Sequence, residues 1–384
     1  MKITDVKVKV YAVPGNEGRP VRRNWVFVRI ETDEGVHGYG EATTEQFEMG
    51  VVATVLESLR PELLGLDPTR VEYIWQKMHR LYWWRNGVIQ CSAMSGIDQA
   101  LWDITGKVYG QPVYKLLGGP VRDRVQLYAR PDLGLGSLEA DIEQMKKEGF
   151  TACKAGIATR KAPFNLQHAE KHIKAVHEFR RLAGADMELM LDIGGTMPLP
   201  MAGKFLAGIE PCNMLFVEEP VNGDTPRDLE TLRTAFPSIA IASGERITTR
   251  WGFREYLERG ALDIIQPDIS HCGGISEMIK IANMAEVHNV RVAPHGPYGP
   301  VNKAAGVHAA AVMPNFLILE HCRMPPWYDA VQTQGLTIRD GHAELPTVPG
   351  LGVELDWDAL DDHPYDRKLP LDSYTRGDGS EALV

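Results

Sequence analysis

The 384-residue chain has no stretch of about 18 apolar residues, the length needed to cross a bilayer, so it is not expected to span a membrane. Its first ten residues, Met1 to Val10, also lack the continuous apolar core of a secretory signal and alternate charged and apolar residues as a strand does. The five cysteines (Cys91, Cys153, Cys212, Cys272, Cys322) are odd in number, widely spaced and without a Cys-x-x-Cys pair. That pattern excludes a disulfide framework and suits reduced thiols packed as small apolar fillers in a cytoplasm. Basic runs are missing too: 41 Lys+Arg against 51 Asp+Glu give a formal net charge of -10, so nucleic acid is not an expected partner. With 44% hydrophobic and 24% charged residues and no low-complexity segment, the chain reads as an ordinary globular protein with a large core.

What is present divides into two patterns. Strand-like runs over Thr4 to Ala12 and Trp25 to Glu31, the turn Thr32-Asp33-Glu34-Gly35 and a third run through Tyr39 predict a small antiparallel sheet. Helical patterns follow over Phe47 to Leu64, Thr69 to Trp84 and Ser92 to Tyr109. Residues 1–123 are therefore expected to form an α+β domain, with the tail, 335–384, packing back on it.

From Arg124 onward, eight short apolar runs alternate with amphipathic helices: Val125 to Tyr128, Ala152 to Ala155, Glu188 to Asp192, Met214 to Glu218, Ile239 to Ser243, Ile264 to Gln266, Arg291 to Ala293 and Phe316 to Leu319. Eight such units over 124–334 close most simply as a TIM-type α/β barrel; a doubly wound open sheet is the alternative.

In such a barrel the chemistry sits where the strands end. Asp192 ends Leu-Met-Leu-Asp, Glu218 ends Leu-Phe-Val-Glu, and Glu245 follows Ile-Ala-Ser-Gly, one βα unit apart each. Taken singly, a strand-end acid more often caps a helix or pairs with a lysine. Three converging carboxylates would repel by roughly 4 kcal/mol per pair at about 4 Å and an effective dielectric near 20. A bound divalent cation removes that conflict, and oxygen-only ligands select Mg²⁺, with Mn²⁺ able to substitute. Asp268 and His295 close the next two runs and should be neighbours, the arrangement of an oriented general base. Lys154 brings a positive charge to the same mouth, and Glu320, ending Phe-Leu-Ile-Leu-Glu, would reach the substrate carboxylate or balance charge.

These segments, together with Val-Glu-Glu-Pro (217–220), the run from Gln266 to Glu277, Ala-Pro-His (293–295), Ser95 to Asp103 and Pro349 to Glu354, resemble the mandelate racemase subgroup of the enolase superfamily over nearly the whole chain. Within it, the resemblance is closest to galactonate and mannonate dehydratases. The resemblance implies a (β/α)7β modified TIM barrel under an N-terminal α+β cap, one Mg²⁺ per subunit on Asp192, Glu218 and Glu245, a His295–Asp268 base, and a homo-oligomer. It also implies that the loops Gly15 to Trp25 and Thr43 to Met49 choose the substrate, with Arg22, Arg23 and Trp25 as candidates to contact its far end; exposed, solvated arginines are the equally plain alternative.

Two positions depart from the family pattern. The second lysine of Lys-x-Lys is replaced in Lys154-Ala155-Gly156, which disfavours a two-base racemase, and the acid of Asp-x-His is replaced in Asp192-Ile193-Gly194. The expected activity is dehydration of a sugar acid, an aldonate or aldarate, to a 2-keto-3-deoxy acid: His295 takes the 2-proton, and Lys154 with the metal steadies the charge that develops. The leaving hydroxyl would be protonated by His295 itself, Lys154, Tyr298 or a loop residue. The rivals are an epimerase or lactone cycloisomerase on the same scaffold and a metal-binding pseudoenzyme.

Overall fold

A computed structural model describes residues 1–13, 23–81, 83–130, 137–157, 166–322 and 330–366. Strands β1 (Ile3–Val13), β2 (Arg23–Thr32) and β3 (His37–Glu41) form an antiparallel sheet in that order. The long helix Val88–Tyr109 lies on it at very short range. A Cβ at Gly40 would stand 1.8 Å from the Gly96 carbonyl oxygen, and one at Gly38 2.2 Å from that of Ala100, so only glycine lets helix and strand touch. The helical pattern over Phe47 to Leu64 is realised as three consecutive segments, Glu48–Ala53, a π-helical Thr54–Leu59 and Arg60–Leu63.

Eight strands follow: β4 (Arg124–Ala129), β5 (Ala152–Gly156), β6 (Glu188–Asp192), β7 (Phe216–Glu218), β8 (Ile241–Ser243), β9 (Ile264–Ile265), β10 (Arg291–Val292) and β11 (Leu319–His321). Each is parallel to the next through β10. The ring closes in two steps, Phe316 bridging Val292 of β10 while β11 pairs with β4. This closure rules out the open doubly wound sheet. It also corrects the last run, expected over Phe316 to Leu319: the segment changes neighbours midway, which an apolar run does not encode. Seven helices, Leu138–Lys147 to Pro300–Ala310, link the eight strands, the (β/α)7β arrangement.

The polar residues on the helix Val88–Tyr109 join the two parts. Asp98 accepts from the backbone N–H (3.0 Å) and hydroxyl (2.6 Å) of Ser276, at the start of the helix Gly274–Val287. Gln99 donates to the carbonyls of Glu41 (3.1 Å) and Ile269 (3.2 Å). Asp103 accepts from the N–H groups of Tyr39 (3.1 Å) and Leu351 (2.8 Å). Glu41, at the end of β3, takes the N–H groups of Gly299 (2.7 Å) and Asn302 (2.9 Å), two unpaired donors at the start of the helix Pro300–Ala310. Burial pushes the Glu41 and Asp98 carboxyls up to about 7 against these hydrogen bonds.

The tail touches both parts. A further strand, β12 (His342–Glu344), pairs antiparallel with β4, while the Ala12 N–H donates to the His363 carbonyl at 2.8 Å and Trp357 lies 5.9 Å from the Tyr39 ring. His308, fully buried, fixes the Pro349 to Glu354 turn: its Nδ1 accepts from the Tyr114 N–H and its Nε2 donates to the Leu351 carbonyl, each at 3.1 Å. A proton on Nδ1 would abolish the first bond, and burial lowers this imidazole to about 4. Because the folded value lies below the unfolded one, the contribution is complete above about pH 6.5 and drains away as pH falls toward 4, by up to about 3 kcal/mol. His308→Gln should therefore unfold in urea with a flatter pH dependence than wild type between pH 7 and 4; parallel curves would refute this role for His308.

Candidate active site

Side chains alternate in and out along a strand, so the inner filling of the barrel fixes what reaches its mouth. The innermost cluster is Tyr128, Ala152, Met190, Phe216, Ala242, Ile264, Ala293 and Ile318, one from each strand segment. Two residues further along stand Arg130, Lys154, Asp192, Glu218, Gly244, Gln266, His295 and Glu320, with Glu245 directly after the glycine. The register agrees: Asp192 lies beside Glu218, and Asp268 beside His295.

Lys154 and Glu218 are both buried, with Nζ 2.6 Å from Oε2. Gln266 Nε2 donates to the same oxygen at 2.7 Å, and Glu320 Oε1 lies 3.4 Å from Lys154 Nζ. Burial opposes the charge on Lys154, but Glu218 and Glu320 hold it well above the usual lysine range. Burial also raises Glu218, to about 8, with Asp192, Glu245 and Glu320 adding to it against the pull of Lys154. Glu320 stays ionised despite burial because Lys154, His295 and Arg130 face it.

His295 Nδ1 lies 2.6 Å from Asp268 Oδ2. Asp268 Oδ1 accepts from the Ser270 N–H (2.7 Å) and Asn302 Nδ2 (3.2 Å), so its carboxylate cannot turn and Nε2 of His295 faces the mouth. That Nε2 is 3.3 Å from Glu245 Oε2 and 3.8 Å from Glu320 Oε2. Burial disfavours the imidazolium, yet Glu245 and the bond to Asp268 lift it to about 10.

Whether a divalent cation suits this mouth can be judged from its oxygens. Among the described residues, no three acids or histidines close on a common ligating point; Lys154 and His295 stand between the carboxylates. Even so, Glu218 Oε1 is buried without a hydrogen-bond partner, and burial, with the charges of Asp192, Glu245 and Glu320 added, pushes Glu218 toward neutrality. An orphaned oxygen among crowded carboxylates on adjacent strands, with no thiolate nearby, fits a hard cation held by Asp192, Glu218 and Glu245. Such a cation would also relieve the pull of Glu245 that keeps His295 protonated.

Residues 137–359 match the family Enolase C-terminal domain-like, and residues 10–118 match the Mandelate racemase / muconate lactonizing enzyme, N-terminal domain. The chain belongs to the enolase superfamily. It is an enzyme scaffold of that superfamily over nearly its full length. It is 37% identical to a D-galactonate dehydratase of Ralstonia pickettii over 93% of this chain and 92% of the relative. It is 38% identical to a D-galactonate dehydratase of Pectobacterium atrosepticum, over 92% of each. Among solved structures, the 3,6-anhydro-D-galactonate cycloisomerase of Zobellia galactanivorans superposes with a TM-score of 0.85 at 29% identity, covering 95% of this chain and 100% of that one. An enolase of Agrobacterium radiobacter, solved with sodium and L-malate, superposes at 0.89 and 30% identity, covering 100% of both.

The structure thus gathers Lys154, Asp192, Glu218, Glu245, Asp268, His295 and Glu320 at one mouth of this superfamily barrel. It does not bring Trp25 there: the indole is fully buried, stacked on Tyr11 at 6.0 Å and edge-on to Phe27 at 6.1 Å, as an aromatic on a sheet facing a core should be. Arg22 lies outside the described residues. Arg23 does reach the mouth, donating to the Pro297 carbonyl (2.7 Å) with its guanidinium 5.6 Å from the Tyr298 ring. Sequence reasoning missed Arg130 and Gln266, although counting two residues on from each inner side chain finds both. The absent acid at Gly194 has a backbone cause: Gly194 and Gly195 sit at φ +65° and +73°, where histidine would be strained.

Replacing Glu245 with Gln should weaken Mg²⁺ binding at least tenfold in calorimetric titration, with little change in the unfolding temperature of the metal-free protein. Wild-type affinity in E245Q would remove Glu245 from the ligand set.

Proposed function

We propose that this enzyme removes the proton next to the carboxylate of a sugar acid and expels the neighbouring hydroxyl, yielding a 2-keto-3-deoxy acid. The observation that carries the reading is the His295–Asp268 pair, 2.6 Å apart, facing the mouth across from Lys154. Its nearest support is the similarity to D-galactonate dehydratases over more than nine-tenths of the chain.

Asp192, Glu218 and Glu245 would hold Mg²⁺, which when bound draws charge from a substrate carboxylate and acidifies its α-proton. The remaining work falls to the protein. Asp268 keeps Nδ1 of His295 as the donor, so neutral Nε2 can take the proton. Lys154, buried and charged, meets the negative charge that then grows on the substrate carboxylate, in a site too dry for water to screen it. Glu320, held by the Gly296 N–H at 3.1 Å, would accept from a substrate hydroxyl and steady Lys154 against the substrate carboxylate. With Gly194 unable to act as an acid, the proton on Nε2 is the one placed to leave with the departing hydroxyl. Residues 1–123, with 335–384 returning to them, form the cap in this reading, and Thr43 to Met49 bound the mouth over the barrel of 124–334.

Isomerisation is the second reading. It begins with the same proton abstraction, and in a cycloisomerisation the proton taken by Nε2 would return to the ring oxygen that is released, so Gly194 is no obstacle; a cycloisomerase is among the similar structures. Incubation with Mg²⁺ and aldonic or aldaric acids in D₂O, followed by proton NMR, separates the two. Loss of the 2-proton with new 3-deoxy signals is expected. Exchange or inversion without water loss would favour the isomerase, and silence across the acids would leave a metal-binding pseudoenzyme. His295→Asn should lower turnover at least about a thousandfold while keeping Mg²⁺ affinity; unchanged turnover would discard His295 as the base.

A further inference from the structure

Arg130 is a cation of the inward-facing strand-end layer that the reaction above does not use. It directly follows the first barrel strand, in the same side-chain layer as Lys154, Asp192 and Glu320, yet it is more exposed. Lys154 is fully buried, whereas the Arg130 side chain is 31% exposed. Its guanidinium passes over Gly156, where a Cβ would stand 3.3 Å from Nη2. Gly156 is the place where the second lysine of Lys-x-Lys would stand, so the chain has removed one cation and let another, from the neighbouring strand, occupy the space. The guanidinium is loosely held. Its contacts are ion pairs of 3.7 Å to Asp192 Oδ2 and 3.6 Å to Glu320 Oε1, both beyond hydrogen-bond length, and no closer partner is recorded among the described residues. By contrast, Arg23, another guanidinium near the mouth, already donates at 2.7 Å to the Pro297 carbonyl, and Arg246 is bound to Glu219 at 2.6 Å.

We infer that Arg130 seats a second carboxylate of the substrate, so that the acid taken is a 2-hydroxy dicarboxylate, an aldarate rather than an aldonate. The inference rests on the sugar-acid reading above. A planar guanidinium with several free N–H groups matches a carboxylate as a two-pronged donor, and a permanently charged group cannot serve as the second base that Gly156 removes. The difference in depth fits a chain-like diacid: the buried Lys154 meets the carboxylate whose α-proton is lost, and the more exposed Arg130 guanidinium meets the far one.

The test compares L-malate with L-lactate in calorimetric titrations of the Mg²⁺-loaded protein. Both carry the 2-hydroxy acid group, neither has a hydroxyl at carbon 3 to expel, and only malate has a second carboxylate. Wild type should bind malate at least tenfold more tightly, the worth of a charge-assisted hydrogen bond. Arg130→Met should abolish that preference and leave lactate affinity within about twofold, Arg130→Lys should keep part of it, and Gly156→Ala should reduce it by displacing the guanidinium. Equal losses for both ligands in R130M, or no preference in wild type, would overturn the proposal; if R130M fails to fold, R130K and G156A decide. A malate preference without dehydration of any sugar acid would keep the anion seat and discard the dehydratase. Dehydration of monoacids with no malate preference would do the reverse.

Discussion

Like charges crowded at the mouth of the barrel are the constraint around which this molecule is arranged. Asp192, Glu218, Glu245, Asp268 and Glu320 all face one opening, and at separations near 4 Å each unscreened pair costs roughly 4 kcal/mol. The structure answers with Lys154 between Glu218 and Glu320, Arg130 between Asp192 and Glu320, and His295 between Asp268 and Glu245. Glu218 Oε1 stays orphaned even so. The residual imbalance is what makes the mouth fit for a cation and for chemistry that moves negative charge; a mouth balanced by its own lysines would have neither property.

Holding that arrangement requires rigid walls, and the same kind of group supplies them. Glu41, Asp98 and Asp103 are buried acids of the N-terminal part: Glu41 and Asp98 take backbone N–H groups of the barrel, and Asp103 ties Tyr39 of the sheet to Leu351 of the tail. The link from Glu41 runs on into the site: it receives the Asn302 N–H, and the Asn302 amide donates to Asp268, which orients His295. A carboxylate at the end of the cap sheet is thus two hydrogen bonds from the His295–Asp268 pair. Strain gathers nearby as well, since Glu219, next to Glu218, holds φ +44° and is anchored by the two-pronged Arg246, at 2.6 and 3.2 Å.

The two departures from the family pattern acquire different physical meanings. At position 156 the missing lysine leaves room that Arg130 fills, so charge is kept while proton transfer is given up. At position 194 the backbone itself has turned left-handed, so no side chain stands there, and the proposed reaction would give both proton tasks to His295. Together they fit the one-base chemistry proposed above.

Much of this was legible in the chain. Alternating runs and helices gave the eight-stranded barrel, the 26- and 27-residue spacings put Asp192, Glu218 and Glu245 on adjacent strands, and the positions of Asp268 and His295 predicted their pairing, because strand periodicity is local and depends only on sequence order. Trp25 misled because an aromatic near charged residues reads alike whether it faces a ligand or a core; only the packing of Tyr11 and Phe27 around it decides. Arg130 was overlooked because its value comes from a neighbouring strand's glycine, and the split pairing of residues 316–321 because it depends on ring closure. The sequence by itself determined which side chains face inward and in what order around the ring. Tertiary structure alone decided which charges touch, since contacts between strands are set by closure, register and the space a missing Cβ leaves.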